Sequence, residues 1–374
     1  MTKSQLTGRV FISLALGLVV GACSESNDDG SAGASGGATG SGGSTASGGS
    51  ASGSGGASGG SQNATGGAET SGSGGADAPN NSGGSADPSS GGAAGPSSGG
   101  FTGTCSESEG TGRNVSGSGP HDVVVETNAE DGINEGTIFR PADLGGTTKY
   151  PIFVWGEGGC SRDGLATQAA MAQIASHGYF VVADGTPGGT EPNRDLGGGG
   201  EVLLAYIDWL IAENEKPCSA YYQSMDTSKI AANGFSCGGL MAAGTAAAPR
   251  MTTWGHTSSG SFSVNQAFYD SIHTPVLIVT GTEDSLGADE NGARDFENIS
   301  KLGDIPVMMF AKIGADHGGD LWAQNGGEFT KVNLAWLNWW LKGDETATGK
   351  GMLVGPACPF CSDSSWQVSS ANLP

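Results

Sequence analysis

Lys229-Ile230-Ala231-Ala232-Asn233-Gly234-Phe235-Ser236-Cys237-Gly238-Gly239-Leu240-Met241-Ala242-Ala243 is the stretch on which the reading of this chain turns. Its first part, Lys229–Phe235, suits a buried strand, and the small residues of Gly239–Ala248 suit a closely packed helix. Between them stands a Gly-x-Ser-x-Gly pattern, in which a sharp strand-to-helix turn presents a serine hydroxyl at the end of a sheet. Such a turn leaves no room for bulk beside the serine, and Gly234 and Gly238 provide that room. In a chain with 69 glycines the pattern alone is weak. The strand before it and the helix after it are what make Ser236 a candidate nucleophile rather than an ordinary turn serine.

Working outward, apolar runs and helical periodicities alternate. Asp122–Glu126, Gly136–Arg140 and Tyr150–Trp155 read as opening strands separated by turn-rich segments. Ser161 is placed to cap a helix running to about Ser176. Tyr179–Ala183 is a fully apolar strand, and Glu201–Glu213 is a helix with Leu203, Leu204, Ile207 and Ile211 among its apolar positions. Strands over Thr274–Thr280 and Ile305–Ile313 flank a helix over Asn291–Lys301. Phe329–Leu341, with Trp336, Trp339 and Trp340 at its end, is the closing helix. The alternation predicts an α/β fold: a mostly parallel sheet with helices on both faces and right-handed crossovers. Sites in such sheets form at the carboxyl ends of the strands. That places the loops after Trp155, Phe235, Thr280 and Ile313 side by side.

A serine hydroxyl needs a base, and the base needs an orienting carboxylate. The chain has five histidines. His121, His177 and His273 precede strands and fall on the wrong edge. His256 follows a possible strand and is a candidate to line the pocket. His317, in the loop after Ile305–Ile313, is the expected base. Asp284, directly after Thr274–Thr280, is the expected acid, with Glu283 and Asp316 as rivals. A neutral histidine base implies that activity falls on acidification across histidine's ordinary range, roughly pH 6–7. The oxyanion needs two backbone N–H groups. One is expected from Cys237 and the other from Gly158 or Glu157, in the Gly-rich loop after Trp155. A Glu157 carboxylate beside a developing oxyanion would oppose it, so the side chain is expected to turn away.

Seven cysteines are present. Cys160 and Cys237 each border one half of the expected oxyanion hole, which predicts a disulfide between them. The alternative for Cys237 is a small buried hydrophobe. Cys358-Pro359-Phe360-Cys361 reads as a local bridge or as partners for other cysteines. Neither pattern makes a metal site, and no cofactor is expected.

The N-terminal part is of a different kind. Lys3 and Arg9 precede a short apolar run, Val10–Val20, too short to span a bilayer, so residues 1–22 read as a signal peptide. Small residues before Cys23 make that cysteine a candidate for lipidation. Residues 23–104, rich in Gly, Ser and Ala, cannot bury enough apolar surface to order themselves and read as a tether. Residues 105–374 are one catalytic domain. The net charge of −22 disfavours nucleic acid as a partner. Membrane contact is expected only through the lipid anchor at the cell envelope, and a monomer is expected.

The stretch from Tyr150 to Asp344 resembles the secreted polyester-hydrolysing lipases, the cutinase-like and dienelactone-hydrolase-like branch of the α/β hydrolases. Ile174-Ala175-Ser176-His177-Gly178-Tyr179, Gly234-Phe235-Ser236-Cys237-Gly238-Gly239, Thr274-Pro275-Val276-Leu277-Ile278, Gly314-Ala315-Asp316-His317 and Ala335-Trp336-Leu337 carry the likeness. The resemblance implies the α/β-hydrolase fold and cofactor-free hydrolysis of small-molecule or polymeric esters by Ser236, Asp284 and His317. It also implies that Trp254 is an aromatic wall of the substrate site, against the alternative of a core tryptophan. The sequence departs from that family in its Gly-Glu-Gly-Gly oxyanion loop, in Cys237 after the nucleophile, and in the tail with Cys358, Cys361 and Trp366. A polysaccharide esterase, a peptidase, or an inactive binding protein on the same fold are the other expectations that this pattern allows.

Overall fold

The computed structural model describes residues 112–127, 133, 135–196 and 199–374. The signal segment 1–22, the lipidation candidate Cys23 and the tether 23–104 lie outside the described residues. Among the described residues ten strands form one sheet: β1 (Arg113–Val115), β2 (Val123–Glu126), β3 (Gly136–Pro141), β4 (Tyr150–Gly156), β5 (Phe180–Asp184), β6 (Met225–Gly234), β7 (Thr253–Thr257), β8 (Val276–Gly281), β9 (Val307–Lys312) and β10 (Trp366–Ala371). Their order across the sheet is β1-β2-β3-β5-β4-β6-β7-β8-β9-β10. From β5 to β9 every neighbouring pair is parallel. The edge strands β1, β2, β3 and β10 are antiparallel to their neighbours.

Parallel strands need crossovers, and the helices that make them cover both faces. The helices are α1 (Gln168–Ser176), α2 (Gly200–Glu215), α3 (Cys237–Ala243), α4 (Gln266–Ser271), α5 (Ala288–Ser300), α6 (Gly327–Lys342), α7 (Lys350–Leu353) and α8 (Pro359–Ser362). The strand period of two sorts the core. Phe153, Trp155, Val181, Val279 and Phe310 pack with α1 and α6, while Ile152, Val154, Phe180 and Val182 pack with α2. Farther along, Val276, Ile278 and Val307 pack against Tyr269 of α4 and Ile299 of α5. Because both faces are covered, every residue of β4, β5 and β8 is buried. Helix α6 carries Glu328 in its first turn and Lys342 in its last, each matching the helix dipole, and ends on Gly343 in the left-handed region.

Several expected boundaries move. Ser161 caps no helix: α1 starts at Gln168, and residues 161–167 are irregular. The Thr167 hydroxyl, at the N-cap position, makes no cap bond and instead donates to Glu157 Oε1 at 2.8 Å. Helix α3 begins at Cys237, directly after the serine, and ends at Ala243, so the small-residue segment is only half helical. Residues 253–257 are strand β7, with His256 inside it rather than beyond it. The C-terminal tail adds β10, paired with β9 from Trp366 to Ala371. Among the described residues no helix is long and apolar enough to cross a membrane.

Candidate active site

The chain crosses from one side of β4 to the other between β5 and β6, so the sheet's switch point lies where the carboxyl ends of β4 and β6 meet. Ser236 stands there at φ 53°, ψ −120°, outside the allowed regions for most side chains. The neighbouring glycines explain how the turn closes. A Cβ on Gly234 would lie 2.2 Å from the Gly238 carbonyl, and one on Gly238 would lie 2.0 Å from the Gly156 carbonyl. The Ser236 backbone is tied on both sides: its N–H donates to Thr257 O at 2.9 Å, and its carbonyl accepts from Ser259 Oγ at 2.7 Å.

His317, in the loop after β9, places Nδ1 2.9 Å from both carboxylate oxygens of Asp284, in the loop after β8. The Asp284 carboxylate is fully buried and also accepts the N–H groups of Leu286 and Ala288 at 3.0 and 3.3 Å. Nε2 of His317 is buried with no partner among the described residues, and His317 and Ser236 line the same cleft. The rival Asp316 does other work. Its Oδ1 accepts the N–H groups of Ser285 at 2.8 Å and of His317 at 2.7 Å, which hold its carboxyl down to about 2. It joins the acid-bearing and histidine-bearing loops through their backbones. Glu283 is exposed.

Cys237 is the first residue of α3, so its N–H belongs to the first turn that a helix leaves without an internal acceptor. Cys160 is disulfide-bonded to it, with Cα atoms 5.1 Å apart. A second disulfide joins Cys358 and Cys361, and Cys218 is disulfide-bonded as well. In the loop after β4 the expected residues are not the ones that face the cleft. Gly158 is pressed against Phe235, where a Cβ would sit 2.3 Å from the ring, and Glu157 is fully buried. Gly159 and Cys160 line the cleft in their place. The Glu157 side chain turns away, as expected, but into the protein, where burial pushes its carboxyl up to about 8.

Residues 111–357 match the family model of PET hydrolase-like proteins. The chain belongs to the PETase (PET hydrolase-like) family. It is an ester hydrolase of the α/β-hydrolase type, acting on small-molecule or polymeric esters. A search among curated proteins gives no match to the chain.

In this PET hydrolase-like protein the expected substrate wall needs correction. Trp254 and His256 are each only 1 % exposed, because β7 is a central strand covered on both faces. Trp254 packs in the core with Phe268, and His256 Nε2 lies 3.3 Å from buried Asp295 Oδ2. The cleft, of about 270 Å³, is walled instead by Leu196, Phe262 and Leu286, which are 67, 64 and 70 % exposed. All three sit in loops, where no periodicity separates a substrate wall from a stray apolar residue. Their only signal in the sequence was bulk apolar character among Gly, Ser and Asp. Beside the histidine, Phe235 stacks at a tilt against the His317 ring at 4.9 Å, and Trp322 meets Phe235 edge-on at 5.3 Å.

Proposed function

We propose that this protein is an extracytoplasmic, cutinase-like carboxylic ester hydrolase working through a Ser236-His317-Asp284 triad and an acyl-enzyme intermediate. The observation that carries the reading is His317, bonded through Nδ1 to both oxygens of Asp284 while Nε2 stays unpartnered in the cleft that Ser236 lines. That polarity is the one the chemistry needs. Asp284 fixes the tautomer, so Nε2 takes the Ser236 proton as Oγ attacks the ester carbonyl. The resulting imidazolium then protonates the leaving alkoxide. Water, activated by the same nitrogen, releases the acid.

The developing oxyanion is held by the N–H of Cys237 and by an N–H from the loop after β4, each donor being worth roughly 3 kcal/mol. Leu196, Phe262 and Leu286 give the acyl or aryl part of the ester an apolar surface to lie on. Secretion through the 1–22 signal and anchoring by acylated Cys23 complete the reading. They rest on the sequence pattern of that segment.

The test is a panel of p-nitrophenyl esters from acetate to long acyl chains, with and without Ser236→Ala. The wild type is expected to turn over one chain length best, and the variant to lose at least about 10³-fold in kcat. Equal inertness of both proteins would overturn the reading.

A further inference from the structure

We propose that the Cys160–Cys237 disulfide is a positioning element of the ester-hydrolysing site, so that cutting it lowers turnover and leaves substrate binding nearly unchanged. The inference rests on the hydrolase reading above. Cys237 follows the nucleophile and opens α3, and Cys160 closes the loop that brings the second N–H donor. The two residues, 77 apart in sequence, both line the cleft. The bridge therefore ties one half of the oxyanion hole to the other.

Cys160 also needs holding. It sits at φ 53°, directly after Gly159 at φ 66°, and a non-glycine side chain persists in that region only where its surroundings enforce it. Two clamps do so. One is the disulfide. The other is the Cys160 carbonyl, which accepts the Arg194 N–H at 2.8 Å. Arg194 is itself fixed by both oxygens of buried Asp184, at 2.7 and 2.8 Å. With the disulfide cut, Cys160 keeps the clamp toward the Arg194 loop and loses the one toward Ser236. The hole would open by a fraction of an ångström, which matters because oxyanion donors act only within about 2.7–3.1 Å of the charge they stabilise. Leu196, Phe262 and Leu286 bind the ester elsewhere along the cleft, so KM is spared.

Reduction is a two-electron step. Dithiothreitol gives two electrons and two protons to the Cys160–Cys237 bond and closes to its own cyclic disulfide, leaving two thiols.

The full-length protein is assayed with its best p-nitrophenyl ester before reduction, after dithiothreitol treatment with both thiols verified by peptide mass, and after reoxidation. The expected result is a reversible fall of at least about tenfold in kcat with KM within about threefold. Cys358→Ser/Cys361→Ser, which removes a bridge outside the cleft, should keep full thiol sensitivity. Cys160→Ala/Cys237→Ala should start at the reduced level and no longer respond. Unchanged kcat in the verified reduced protein, a loss confined to KM, or an insensitive Cys358→Ser/Cys361→Ser variant would each overturn the proposal. The last comparison stands even where the double alanine variant does not fold. Inertness of the untreated wild type would instead bring down the hydrolase reading itself, a separate result from an active enzyme indifferent to reduction.

Discussion

At the scale of single residues, two carboxylates near His317 have opposite duties. Asp284 is buried and holds the imidazole, whereas Asp316 is exposed and holds two backbone N–H groups. Asp284→Asn is therefore expected to keep the fold and lose about 10³–10⁴ in kcat, because the amide stabilises the wrong tautomer. Asp316→Asn should lose far less, since an amide oxygen still accepts from Ser285 and His317. Steady-state kinetics of the two variants decide the assignment, and comparable losses would undo it. Both aspartates were visible in the sequence as neighbours of the expected site. What separated them was the direction each side chain takes, and that follows from how the loops after β8 and β9 fold against one another.

At the scale of elements, α6 is legible because its apolar periodicity runs for about four turns, while α1 starts later than the sequence suggests. Local capping chemistry favours Ser161, but the helix starts after Thr167, whose hydroxyl is engaged by Glu157 ten residues earlier, and no sequence rule anticipates that contact. Helix α6 lays Trp336 on the sheet, with its indole N–H donating to Thr253 Oγ1 at 2.8 Å. Trp336→Ala should cost about 3–5 kcal/mol, from the lost burial and cavity together with the lost hydrogen bond to Thr253, whose hydroxyl still donates to the Pro275 carbonyl. Chemical denaturation followed by circular dichroism reads that loss, and a shift under about 1 kcal/mol would show the helix to be a peripheral brace.

At the scale of the whole molecule, one buried group ties stability to pH. The Glu157 carboxyl is pushed by burial from its ordinary value of 4.5 up to about 8, so it stays protonated in the fold where the unfolded chain would release its proton. Its contribution is complete below about pH 4.5 and is lost as pH rises to about 8, a decline of a few kcal/mol. Glu157→Gln, which keeps the shape and removes the titration, should flatten stability between those limits in melts across pH. A wild-type profile already flat there would contradict the buried neutral acid.

The sequence by itself determined the α/β class, the Gly-flanked elbow at Ser236, and the loops from which Asp284 and His317 emerge. Those features depend on local period, on steric room and on chain order, all of which are properties of short segments. Only the tertiary structure decided that Trp254 and His256 belong to the core, that Phe262, Leu196 and Leu286 form the wall, and that Gly159 and Cys160 face the cleft. The reason is physical: whether a side chain meets substrate or core depends on what packs over its strand or loop, and those neighbours come from distant parts of the chain.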